Sequence, residues 1–141
     1  MVIDIPLSEL MTHQVVSINI DESLEIADQL MRKNHIRHLP ITKEDKLIGM
    51  LSLTDLQRIS FANSFTDVNP NIDSEIYNMF TIDQLMTHHP TSVDLKDGMV
   101  KALHVLSEEE FHALPIVDDE RLVGIITTTD VIRYFLKVCE I

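Results

Sequence analysis

Cysteine occurs once in this chain, at Cys139. No internal disulfide can therefore brace the fold, a usage that suits a reducing compartment. Glycine and proline are also scarce, at 3 and 5 residues, against a hydrophobic share of 45%, which excludes a low-complexity tract and points to a globular chain. Positive charge is in short supply as well. Lysine and arginine number 11 against 23 acidic residues, for a formal charge of −12, and a polyanion needs a basic face to bind. Nucleic acid and anionic membrane are thus excluded as main partners. No apolar run approaches the roughly 20 residues that a membrane span requires. The opening Met-Val-Ile-Asp lacks the charged region of a signal peptide, so a cytoplasmic location is expected. Neither a phosphate-binding P-loop nor a nucleophile elbow is present.

What the chain does have is a repeat. Residues 39–55 read LPITKEDKLIGMLSLTD and residues 114–130 read LPIVDDERLVGIITTTD, so that Pro40 and Pro115, Gly49 and Gly124, Thr54 and Thr129, and Asp55 and Asp130 all differ by 75 positions. A constant offset without gaps marks an internal duplication. The match extends outward to LMTH at 10–13 and 85–88, to Ser17 and Ser92, and to Ala27 and Ala102. This divides the chain into a first unit (1–64), a connector (65–81) and a second unit (82–141). At 141 residues the whole has the size of one ordinary domain, so the two half-size units are expected to share a core.

Each unit reads strand, helix, strand, strand, helix. Residues 15–20 (VVSINI) alternate as a strand does, and from Ser23 the apolar residues Leu24, Ala27, Leu30 and Met31 recur at helical spacing, with Asp21 or Ser23 as cap. The spacing predicts a helix ending near Asn34. Leu39 to Thr42 and Leu47 to Leu53 then form a hairpin across the charged loop 43–46, with Pro40 at an edge or facing an unpaired position. A second helix follows from Leu56 to Phe61. Gly49 and Gly124, inside the return strands, imply that a backbone or a ligand approaches closely there. Ahead of all this, Pro6 to Met11 suggests one helical turn that Ser8 can cap. The connector is expected to be loop plus one docked turn, anchored by Ile76, Tyr77, Met79 and Phe80.

Chemistry-bearing residues cluster where the second helix of each unit begins. Ser52 stands three residues ahead of Asp55, and Thr127 three ahead of Asp130. A helix N-terminus offers unpaired N–H groups to a phosphate, and a carboxylate placed there can accept both hydroxyls of a ribose. The competing reading is that these residues only cap their helices, and both stay open. Arg37-His38 and His112-Ala113 precede the two Leu-Pro-Ile strands, so an anion could be held between them and the strand ends at Ser52 and Thr127. Arg58 and Arg133 are also matched, as solvated residues or as phosphate contacts. The histidines include His35 and His38 and the neighbours His88-His89, but no cysteine or carboxylate completes a metal-ligand set, so no metal is expected. Met11, Met31, Met50, Met86 and Met99 read as flexible core filler.

The two copies, LMTHQVVSINI…LPITKEDKLIGMLSLTD and LMTHHPTSVDL…LPIVDDERLVGIITTTD, resemble a tandem pair of cystathionine-β-synthase (CBS) domains, the Bateman module. The connector and its FTIDQLM exit resemble the pair found in acetoin-utilisation-type proteins. The resemblance implies an α+β fold of two β-α-β-β-α units packed about a pseudo-twofold axis, commonly dimeric. It implies two clefts for AMP, ADP, ATP or S-adenosylmethionine, with no cofactor required. In that family the ribose aspartate corresponds to Asp55 and Asp130, the hydroxyl residue to Ser52 and Thr127, and the basic pair to Arg37-His38 and His112-Ala113. Thr12 and Val16 would then face the Asp130 site, Thr87 and Thr91 the Asp55 site, and Met50 and Ile125 would pack on adenine. Ala113 removes a cation that His38 supplies, so the Asp55 site suits a multiply charged nucleotide better. A histidine with the ordinary pKa of about 6.5 would make such binding weaken as pH rises.

The function expected from all this is a non-catalytic, adenosine-ligand-sensing regulatory module that forms a homodimer and signals to an unknown effector protein. A ligand-free dimerisation module is the alternative, and an enzyme a third possibility.

Overall fold

The computed structural model describes residues 5–61, 72–109 and 112–140, with side chains described throughout except at 60, 61 and 72–74. Connector residues 65–71, including Asn69-Pro70, lie outside the described residues. The elements run α1 (Leu7–Leu10), β1 (Ile18–Asn19), α2 (Leu24–Asn34), β2 (His38–Lys43), β3 (Lys46–Ser52), α3 (Leu53–Phe61), α4 (Ile72–Asn78), α5 (Ile82–Leu85) and β4 (Thr87–His88). They continue with β5 (Val93–Asp94), a 3₁₀ turn (Leu95–Asp97), α6 (Gly98–Glu108), β6 (Ala113–Asp118), β7 (Arg121–Thr127) and α7 (Thr128–Cys139). The α+β class and the order strand, helix, strand, strand, helix hold in both halves.

The compact units do not begin where the repeats begin. One unit, called unit I here, spans Val16–Pro90; the other, unit II, joins the chain up to Val15 to the stretch from Thr91 onward. The leading LMT segment of each repeat thus belongs to the unit built on the other repeat. Each unit has its own core, where a single shared one was expected. In unit I the helix α2 places Leu24, Ala27 and Met31 against Leu39, Ile41 and Leu51 of the hairpin. In unit II the counterparts Met99, Ala102 and Leu106 meet Leu114, Ile116 and Ile126. Spacing of three and four on the helix and of two on the strands brings these apolar sets together.

In unit I, β1 pairs parallel with β2 at Ile18↔Ile41 and Asn19↔Thr42, β2 pairs antiparallel with β3, and β4 lies antiparallel along β3 at Gly49↔His88 and Met50↔Thr87. The first strand is shorter than the alternation of residues 15–20 predicts, because only Ile18 and Asn19 find a ladder partner. Pro40 pairs with Met50 on one side while β1 does not reach it on the other, which accommodates its missing N–H. The hairpins turn on two residues, Glu44-Asp45 and Asp119-Glu120, all four with φ between 52° and 67°, the geometry whose twist matches the strands. The predicted four-residue loop is therefore tighter than expected, since Lys43↔Lys46 still pair.

Two further expectations are corrected. Ser8 does not cap α1, whose N-cap is Pro6 with no side-chain bond, whereas the matching turn α5 is capped by Thr81 in a reciprocal box with Gln84. In the connector, α4 is a seven-residue helix in which Ile76 and Tyr77 are buried. Met79, at 77% exposure, and Phe80 anchor nothing in the core.

Gly49 and Gly124 make room for a side chain, and not for the backbone or ligand expected from sequence. A Cβ on Gly49 would collide with the sulfur of Met86, and one on Gly124 with the sulfur of Met11. Each methionine comes from the LMT motif docked onto that unit. We predict that Gly49→Ala lowers stability by about 1–3 kcal/mol through overpacking. Adding Met86→Ala should restore part of that loss, with a coupling of at least about 0.5 kcal/mol in a denaturant double-mutant cycle.

Candidate functional site

The end of the return strand and the first turn of the following helix form one local structure, built twice. In unit I, the Asp55 backbone N–H donates to Ser52 Oγ at 3.1 Å and the Ser52 N–H donates to Asp55 Oδ2 at 2.9 Å. In unit II, Asp130 donates to Thr127 Oγ1 at 3.1 Å and Thr127 donates to Asp130 Oδ2 at 2.9 Å. These are reciprocal capping boxes, with the carboxylate at the third helical position. The helices consequently start at Leu53 and Thr128, earlier than the sequence pattern places them, and the aspartates sit inside the first turn.

The cap occupies one oxygen of each carboxylate. The other, Oδ1, has different company in the two units. Asp55 Oδ1 lies 4.0 Å from Nη1 of Arg58, whose side chain is 77% exposed, a pair that solvent weakens. Asp130 Oδ1 accepts a long hydrogen bond of 3.4 Å from the Thr12 hydroxyl, which also lies 3.5 Å from Oδ2. Thr12 is held there by its backbone, since its N–H donates to the Ile125 carbonyl at 2.8 Å and its carbonyl accepts from the Ile125 N–H at 3.1 Å. Both aspartates are half-buried, so each presents an acceptor at the positive end of a helix without being sealed from solvent.

Strand register gathers most of the remaining predicted residues around each box. Because side chains alternate along a strand, Met50 shares a face of β3 with Ser52, opposite to buried Gly49 and Leu51. His38 lies directly across from Ser52, and Thr87 directly across from Met50. Unit I thus collects Thr87, Met50, Ser52, His38 and Asp55. Unit II collects Thr12, Ile125, Thr127 and Asp130 in the same register, but the position opposite Thr127 is Ala113. Arg37 and His112 are exposed one residue earlier, and their backbone carbonyls accept from the N–H groups of Leu53 and Thr128. Val16 is half-buried in unit I, and Thr91 is exposed in unit II.

The pairing of Arg58 with Asp55 was neither of the two readings of that matched arginine, a solvated residue or a phosphate contact; its spacing of three from the aspartate on one helix was the available signal. The docking of Met11 and Met86 was missed altogether. Its trace in the sequence is that glycine and methionine recur with the same offset, but nothing local connects them. Among the described residues, no three of histidine, cysteine, aspartate and glutamate come together as a metal-binding group. The groove of about 530 Å³ bordered by Asp21, Lys43, Tyr77 and Phe80 lies in unit I and includes none of the box residues.

The fold and the duplicated box define a class of protein, a tandem of two small α+β units each bearing a capped aspartate at a helix start. The chain belongs to the CBS domain family, whose model matches residues 7–61 and 82–137. A CBS domain-containing protein of Dictyostelium discoideum is 26% identical over 94% of this chain and 92% of its own length. Several other relatives are longer, and the chain spans less than half of them. The crystal structure of a Vibrio cholerae protein assigned to acetoin utilization is 25% identical, with a TM-score of 0.80 over 98% of this chain and 95% of that one. The structure of CBSX2 in complex with AMP, 24% identical over 94% of this chain and 97% of that one, has a TM-score of 0.77 and shares the fold.

The capping geometry yields a direct expectation. Ser52→Ala and Thr127→Ala should each destabilise their unit by about 0.5–2 kcal/mol, read as a shift in denaturant midpoint with an unchanged slope.

Proposed function

We propose that this protein is a regulatory ligand-sensing module in which Asp55 and Asp130 each hold the ribose of an adenosine-containing ligand, AMP, ADP, ATP or S-adenosylmethionine. The observation that carries this reading is the division of labour within each carboxylate: in both half-buried aspartates Oδ2 is consumed by the helix cap, while Oδ1 has weaker company, Arg58 at 4.0 Å in unit I and the Thr12 hydroxyl at 3.4 Å in unit II. Met50 and Ile125 supply an apolar surface beside it for a base. Ser52 and Thr127 bring hydroxyls to the positive end of a helix, where a phosphate sits well. His38 has no cationic counterpart in unit II, where Ala113 takes its place, so the Asp55 site is the one for a multiply charged ligand.

The module is read as non-catalytic and without a resident cofactor. It works in the cytoplasm by passing occupancy to its own dimer or to an effector protein, and a ligand shifts that equilibrium only by its differential affinity for two states. A ligand-free structural role is the second reading, favoured by the fact that the reciprocal caps alone give both aspartates a purpose.

Calorimetric titration with the four ligands separates the two. Asp55→Ala and Asp130→Ala should each remove one site while the chain stays folded, and Asp→Asn at either position, which retains a capping acceptor, should still weaken binding at least tenfold. If the alanine variants lose only stability and bind every ligand as before, the aspartates are caps and nothing more.

A further inference from the structure

The duplication supplies an internal control for the groove of unit I. Its rim carries three carboxylates, Asp21, Glu22 and Asp83, against one lysine, Lys43, with Tyr77 and Phe80 as its aromatic wall. An offset of 75 gives the counterparts in unit II: Lys96 stands where Asp21 does, Ser8 where Asp83 does, and Asp118 where Lys43 does. Glu22 corresponds to Asp97, and that acid is answered within its own unit. Lys101, four residues on along α6, reaches Asp97 at 3.1 Å, and its hydrogen bond draws the carboxyl below the usual range. Four residues beyond Glu22 stands Ile26 instead, an apolar side chain 41% exposed on the first turn of α2. With positions 26 and 101 included, unit I sets three carboxylates against one lysine, where unit II sets two against two. The Asp21 and Glu22 carboxylates have no hydrogen-bond or ion-pair partner among the described residues, while Asp83 lies 3.1 Å from the exposed His88 ring. The fold of a unit therefore tolerates a balanced rim, and unit I does without one.

We propose that this groove receives a basic segment of a partner protein, with a lysine or arginine set between Asp21, Glu22 and the Phe80 ring and an apolar neighbour against Ile26. Charge complementarity selects the occupant. The cation that unit II supplies from its own helix is missing in unit I, and a chain of net −12 steers a basic partner toward it. Shape selects a macromolecule over a small organic cation. Of the lining residues only Tyr77 is buried, so the groove cannot enclose a small ligand over the roughly 70–90% of its surface that such sites cover. A segment lying across the rim needs no enclosure. Phe80, at 38% exposure, offers its face to a guanidinium or ammonium, and Met79, at 77%, extends the apolar surface beside it. The partner's cation thus takes the place that Lys101 fills for Asp97.

The test gives unit I the two cations that unit II already carries at the same positions. A fluorescently labelled peptide of sequence RLKRL should bind the full chain in an anisotropy titration, and Asp21→Lys/Ile26→Lys should weaken it at least tenfold with an unchanged circular-dichroism spectrum. Asp83→Ser, the residue unit II carries there, should weaken it at least threefold and serves should the double variant not fold. Glu9→Lys/Val100→Lys makes the same change in net charge at exposed positions of unit II and should leave the affinity within twofold. The peptide QLQQL should not bind, and RGKRG should bind at least fivefold more weakly than RLKRL. Absence of binding by RLKRL, or equal losses in the unit I and unit II double variants, overturns the proposal. Spermine binding as tightly as the peptide, with the same sensitivity to the unit I variants, would make the occupant a small polycation and overturn it too. The proposal adds a contact for the effector and is independent of the ribose assignment. Asp21→Lys/Ile26→Lys should titrate with the four adenosine ligands as the wild type does, so a failure at the groove and a failure at the aspartates are read separately.

Discussion

A methionine sulfur seated over a strand glycine is the contact on which each unit depends. Met86 covers Gly49 and Met11 covers Gly124, and in both cases the methionine arrives from a segment far from the strand in sequence. Thioether side chains suit this role, because they are flexible, polarizable and apolar. The docked segment then adds backbone hydrogen bonds beside the glycine, through β4 in unit I and through Thr12 and Ile125 in unit II. A unit assembled in this way cannot be cut out of the chain at the boundaries of its repeat, since its core includes residues from the other repeat's leading edge.

The same docking shapes the candidate site. The strand that accepts the methionine ends at Ser52 or Thr127, and the helix beginning there is held by a reciprocal cap that engages one carboxylate oxygen and leaves the other to Arg58 or to Thr12. Cap and ligand contact are thus compatible uses of a single aspartate, with no conflict between a structural and a functional role. The cap fixes the rotamer, which lowers the conformational cost of presenting the remaining oxygen. Where the two units diverge, they do so in the neighbours of that oxygen: Arg58 in one, Thr12 in the other, with His38 against Ala113 across the hairpin. Equal folds therefore carry unequal chemistry.

Much of this was legible before any coordinates. The helix α2 and its termination at Asn34 follow from apolar spacing, with Ser23 the one of two capping candidates that the structure uses, and the hairpins follow from short apolar runs around a charged turn. These are local signals, and local physics decided them. The connector was less legible, because the difference between buried Tyr77, within α4, and exposed Phe80, beyond its end, is set by which residues meet the core and not by local pattern. The first strand was over-read, since alternation over residues 15–20 reports a face but not whether a neighbour exists to bond it.

By itself, the sequence determined that one unit occurs twice, that the units are α+β, and that an aspartate stands at the same point in each, since residues repeated at a constant offset of 75 repeat the local cap they form. Only the tertiary structure decided that Met11 and Met86 dock over strand glycines, and so why Gly49 and Gly124 lack a side chain. Contacts between residues 37 or 113 positions apart leave no periodic trace along a chain, because the chain between them is free to take any path until packing selects one.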